Sequence, residues 1–117
     1  MDEEFARAVY RDFVIEQVEE RLRGYSAARP EDIKDPSYAA AAGLYRELDG
    51  DQQAAFAAAM RLAAVDALAR LFSVIQGFSS FGSFDGAKFS LRYGTVELGR
   101  DIADLFLLED EKVRARG

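Results

Sequence analysis

Residues 48–76 read LDGDQQAAFAAAMRLAAVDALARLFSVIQ, and this stretch decides the fold. Asp49 is a good helix N-cap, and Gln52, three residues on, completes a capping box of the D-x-x-Q kind. Asp51 falls in the first turn, where a negative charge favours the positive end of the helix dipole. Ala54 to Ala69 is largely alanine, the strongest helix former, with Phe56, Met60, Leu62, Val65 and Leu68 interspersed. Gly77 then offers a C′ position and ends the run. The spacing predicts a long central helix over about 49–76, apolar most of the way round and therefore buried on most sides. A membrane span is excluded, because Arg61, Asp66 and Arg70 sit mid-helix and each would cost roughly 2.5–3.5 kcal/mol at a bilayer centre.

At 100° per residue, Asp66, Arg70 and Ser73 share a narrow face and Arg61 lies almost opposite. Asp66 and Arg70 read either as a charge couple lining a binding site or as an i,i+4 surface pair of only ~0.2–0.5 kcal/mol. The surface pair is the commoner arrangement and is the expectation.

Outward from this helix, Glu3 to Arg23 predicts a first helix, with Asp2 as its cap and Gly24 at C′. Phe5, Val9 and Phe13 form one ladder on it, and Val14, Val18 and Leu22 a second, rotated well round from the first. The drifting stripe implies that its two halves meet different neighbours. Arg29-Pro30-Glu31-Asp32 suits a single helical turn, and Asp35-Pro36 marks an N-cap followed by proline at N1. A helix from Pro36 to about Leu48 follows, with Tyr38, Ala41, Ala42, Tyr45 and Leu48 facing inward.

Residues 77–86, GFSSFGSFDG, place Phe78, Phe81 and Phe84 at every third position among serines and glycines. Either the three rings plug back into the core, each burying ~150–250 Å², or they stand on a loop that docks a partner or closes on a ligand. Loops seldom leave three large aromatics in water, so plugging is the expectation. The segment is still the best site candidate, because function concentrates on loops held by a rigid scaffold. Beyond it the period changes. Phe89, Leu91 and Tyr93 alternate with polar residues, Gly94 breaks the run, and Thr95 to Leu98 returns, giving a short β-hairpin over about 87–98. A last helix begins at Asp101, and the charged run 109–117 is expected to fray. The fold class is mainly α with a small β element (α+β), about four helices in a single domain.

Composition narrows function more than it names it. The 117 residues carry a formal charge of −6 with no cysteine, histidine or tryptophan. An acidic chain lacks the basic patch that nucleic acid requires and suits no anionic membrane surface. Without histidine or cysteine, Ser-His-Asp and Cys-His catalysis and zinc-thiolate sites are impossible within this chain. Asp49-Gly50-Asp51 opens like a calcium loop, but Ala54 stands where the invariant glycine belongs and Met60 where the bidentate glutamate belongs. No enzyme activity, cofactor or metal is expected. The N-terminus is acidic and amphipathic, unlike a secretory leader, so the expected location is cytoplasmic. Heavy use of alanine and arginine suggests a GC-rich bacterial genome.

The sequence VDALARLFSVIQG, the strand KFSLRY and the terminal GRDIADLFLLEDE occur in an order that resembles small uncharacterised bacterial domains of the conserved-hypothetical kind. Some of these are immunity-type proteins found beside secreted toxins. The resemblance covers about half the chain and carries over no functional residues. It implies binding to one protein partner rather than catalysis. The expectation is therefore a non-enzymatic interaction module, with Phe78, Phe81, Phe84, Asp66 and Arg70 as candidate binding residues. The alternatives are a small-ligand or regulatory domain with a pocket beside the aromatic loop, and a homodimer formed through apolar helix faces.

Overall fold

The computed structural model describes residues 1–99 and 101–117. A helical rod opens the chain: α1 (Asp2–Val9), a π-helical segment (Tyr10–Glu16) and α2 (Gln17–Ala27) follow one another without a break. A 3₁₀ turn (Pro30–Asp32) leads to α3 (Pro36–Glu47), and then comes α4 (Gly50–Ile75). A second 3₁₀ turn (Gly86–Lys88) precedes the antiparallel strands β1 (Leu91–Tyr93) and β2 (Val96–Leu98), and α5 (Ile102–Ala115) closes the fold. The architecture is mainly helical with one small hairpin before the last helix, as the periodicities predict.

The predicted punctuation is largely where the chain turns. The Asp49 carboxylate accepts from the Gln52 amide at 2.8 Å, and Gln52 Oε1 accepts from the Asp49 amide at 3.0 Å, so the capping box is complete. Asp35 caps α3 by accepting from the amides of Ser37 and Tyr38, with Pro36 at N1. At the far end of α4, Gly77 adopts φ +86°. Its amide donates to the Val74 carbonyl and that of Phe78 to the Ser73 carbonyl, the paired bonds of a Schellman motif. In the hairpin, Tyr93 pairs with Val96 across Gly94-Thr95, and the positive φ falls on Gly94 alone, as a type II′ turn requires.

The N-terminal rod departs from expectation, and the π segment is the reason. A π turn bonds i to i+5, so it inserts an extra residue into the repeat. Val9 and Val14, five apart, are both buried, while Phe13 points to solvent. The drifting ladders of the sequence are this register shift. The rod also runs through Gly24, which is not a C′ residue. A Cβ there would collide with the Tyr38 hydroxyl, so glycine allows α2 and α3 to approach. Nor does Asp2 cap α1. Met1 holds that position, and the Asp2 carboxylate reaches across the molecule to accept from the Gly99 amide at 3.0 Å.

The main core lies where α1, the π segment, α4 and α5 meet. It contains Ala6, Val9, Tyr10 and Val14, Val65 and Phe72 of α4, Leu98 of the hairpin, and Ile102, Ala103 and Phe106 of α5. A second, aromatic cluster joins α2, α3 and α4 through Tyr25, Tyr38, Tyr45 and Phe56, with ring centroids 5.0–6.4 Å apart. The central helix is not buried on most sides. Ala57, Val65, Phe72 and Val74 are buried, whereas Ala55, Ala59, Leu62, Ala63 and Ala67 form an open face. Alanine supplies helix propensity here rather than core. At the charged C-terminal run, α5 continues to Ala115 and buries Asp110. Among the described residues no helix is long and apolar enough to cross a membrane.

Candidate interaction surface

The three loop phenylalanines do not return to the core. Phe78 is 72% exposed, Phe84 57% and Phe81 47%. They instead form a platform with one another. Phe81 stacks on Phe84 with centroids 5.2 Å apart and planes at 26°, and on Phe89 at 6.0 Å and 17°. The backbone beneath them is a tight turn. The Phe84 amide donates to the Phe81 carbonyl at 2.9 Å and the Phe81 amide to the Phe84 carbonyl at 3.3 Å. Gly82, within this turn, has φ +53°, a conformation glycine adopts without a Cβ penalty. The nearby hairpin adds Tyr93 and Val96 as further exposed apolar side chains. The alternation at 89–93 suggested an inward Tyr93, but the hairpin commits only Leu91 and Leu98 to the core.

The platform is held to the scaffold from several directions. Arg70 donates from Nη2 to the Ser80 carbonyl at 3.1 Å. The hydroxyl of Ser79 donates to that of Ser73 at 3.3 Å, and the Gly86 amide donates to the Ser80 hydroxyl at 3.2 Å. Gly86 is buried, and a Cβ on it would lie 2.7 Å from the Val74 carbonyl oxygen and closer still to that of Ser79. Asp85 caps the 3₁₀ turn by accepting from the Ala87 amide at 3.0 Å. Asp66 and Arg70 are both exposed, and among the described residues they form no ion pair. Arg70 thus serves the loop rather than its helix neighbour, which brings it together with Phe78, Phe81 and Phe84. Asp66 stands apart on the open face of α4.

A second polar constellation escaped the sequence reading. Tyr10, at the start of the π segment, donates its hydroxyl to Asp110 Oδ1 at 2.8 Å. Arg114 donates from Nε to Asp110 Oδ2 at 2.9 Å. Asp110 is 3% exposed and Tyr10 2%. Burial, and then the hydrogen bond to Asp110, raise the Tyr10 pKa well above the ordinary phenol value. The hydrogen bond from Arg114 to Asp110 raises the guanidinium pKa in turn. The signal in the sequence was that Asp110 follows Phe106 by one helical turn on the buried face of α5, a charged residue at a core position. Its partner Tyr10 lies at the other end of the chain, and no local pattern connects the two. The arrangement fastens the rod to α5. Tyr10 is a donor held protonated and Asp110 is occupied by two donors, so neither is placed as a base or nucleophile.

Compared with known proteins, the chain matches no family model, and no curated protein or solved structure shows significant similarity to it.

Proposed function

We propose that this chain is a non-enzymatic, cytoplasmic protein-interaction module that docks its partner on the aromatic platform of Phe78, Phe81, Phe84 and Phe89. The observation that carries the reading is the exposure of several phenylalanines together, on a loop pinned by Arg70 and the Schellman turn. Contiguous apolar surface of this kind marks interaction sites on soluble proteins, and aromatic residues are enriched at interface centres. Pinning the loop beforehand lowers the ordering cost of association.

The dimensions of the chain agree with this reading. Its radius of gyration is 17.0 Å, against about 13 Å for a compact chain of this length. Its accessible surface is 8009 Å², about 1,700 Å² more than the scaling for a compact monomer of this mass gives. A standard interface removes ~800 Å² from each partner, so the excess is ample for one. An inhibitor or immunity-type role is the specific version that the layout of the sequence suggests.

Native mass spectrometry of the protein captured gently from its host tests the reading. A bound polypeptide is expected on the wild type and absent from the Phe81→Ser/Phe84→Ser variant, with the far-ultraviolet circular dichroism of the two alike. A wild type that carries nothing, or a variant that keeps its partner, would overturn it. A mass at a multiple of the bare chain would identify the partner as a second copy.

A further inference from the structure

The π segment, α4 and α5 enclose a cleft of about 350 Å³ that lies apart from the aromatic platform. Its walls are apolar: Ile15 of the π segment, Ala58 and Leu62 of α4, and Val113 of α5. Three charged side chains, Arg61, Asp110 and Arg114, the Tyr10 hydroxyl and Gly117 also line it. Asp110 already accepts from both Tyr10 and Arg114, so its charge is offset and its oxygens are engaged. Arg61 is different. It is half-buried, and among the described residues no carboxylate, that of Gly117 included, comes within ion-pair distance of it. Nor does it donate to any described acceptor. A guanidinium presents five donors in a planar fork, and a half-buried charge without a partner is destabilising relative to a paired one.

We propose that this cleft binds a small carboxylate with an aliphatic body, its carboxylate paired with Arg61 and its chain lying between Ile15, Leu62 and Val113. The sign of the ligand follows from Arg61, the guanidinium of the lining that no carboxylate engages among the described residues, whereas Asp110 and Arg114 pair with each other. A carboxylate matches the fork of a guanidinium in two parallel hydrogen bonds. The volume is near the lower end of the ~300–1,000 Å³ found for ligand sites, which selects a small body over a nucleotide. The π segment shapes the cleft: its extra residue turns Tyr10 inward onto Asp110 and leaves Ile15 at the wall. Insertions of this kind recur at functional sites.

Titration of the full chain with sodium octanoate, followed by methyl NMR and calorimetry, tests this. Saturable one-to-one binding is expected, with shifts at Ala58, Leu62 and Val113. Octan-1-ol, which keeps the chain and loses the charge, is expected to bind at least about tenfold more weakly, the ~1.4 kcal/mol of one charged contact. Arg61→Gln is expected to lose a similar factor. Leu62→Glu, an exposed position that tolerates substitution, places a carboxylate beside Arg61 and is expected to abolish binding without unfolding the chain. Absence of saturable binding, equal binding of octan-1-ol, or undiminished binding to both variants would each overturn the proposal.

Discussion

Phe72 and Phe81 lie close in sequence and use the same side chain in opposite ways. Phe72 meets Phe5 and Phe106 edge to face, at 6.2 and 5.5 Å with planes near 70°. Edge-to-face contact lets each ring touch several neighbours and fill a volume, as a core requires. Phe81 meets Phe84 and Phe89 nearly parallel. Parallel rings shield one another's faces but leave an outer face in water, so they build a surface. The difference shows that aromatic content alone does not separate core from interface. Ring geometry and backbone support do, and substitutions in the two groups should therefore have opposite consequences.

The largest effect is expected at Phe106. It is fully buried and touches both Tyr10 and Phe72. Phe106→Ala should destabilise the fold by ~3–5 kcal/mol, as ring-to-methyl truncations in cores do. Urea unfolding measures this, and a loss under ~1 kcal/mol would show that α5 is not seated as described. Gly86→Ala comes next. Its new methyl group would collide with the backbone carbonyls of Ser79 and Val74, which cannot rotate away as a side chain can. A loss of ~1–3 kcal/mol is expected, with amide exchange accelerating first across residues 77–89. Uniform acceleration over the whole chain would mean that the loop is not a separately anchored unit.

Tyr10 sharpens the comparison through pH. Folding raises its pKa above the ordinary value of about 10. The neutral phenol's contribution is thus fully present below pH ~10 and is lost as pH rises through the folded-state value. Tyr10→Phe should cost ~1–2 kcal/mol at neutral pH, because Asp110 loses a donor. The wild type and the variant should then converge in stability as the solution becomes alkaline. A difference independent of pH would remove the buried phenol–carboxylate bond from the account.

How much of this was legible follows from the range of the interactions. Asp49 with Gln52, Asp35 with Pro36, and Gly77 act within one turn of chain, so their residue types announce them. The hairpin was legible because alternation and a turn glycine are also local. The π segment was legible only as an unexplained drift between Val9 and Val14, since an i,i+5 step violates the 100° repeat used to read it. Gly24 looked like a stop signal because a glycine that ends a helix and one that admits Tyr38 look the same in sequence. The alanines of α4 read as core because the burial of a small residue depends on whether a neighbour arrives. The destination of Phe78, Phe81 and Phe84 was misjudged for a related reason. Hydrophobicity predicts that rings leave water, but a loop fixed by Gly86 and Arg70 has no slack to carry them inward.

The smallest stability effect is the one that tests function. Phe84→Ser removes a ring that is more than half exposed and that contacts Phe81 and Phe89. Little of its area returns to water on unfolding, and one surface aromatic contact is worth ~0.5–1.5 kcal/mol at most. A shift of under ~1 kcal/mol is expected, and Phe81→Ser should behave alike. A structural loop would explain a larger loss, because the rings would then be holding residues 77–89 in place. A near-neutral substitution leaves the rings without a structural reason to be aromatic. Exposed phenylalanines are an aggregation liability for a lone chain, so that outcome supports the proposed partner that covers them. Comparing the unfolding midpoints of the wild type and Phe84→Ser therefore decides between a loop that needs its rings to fold and one that presents them.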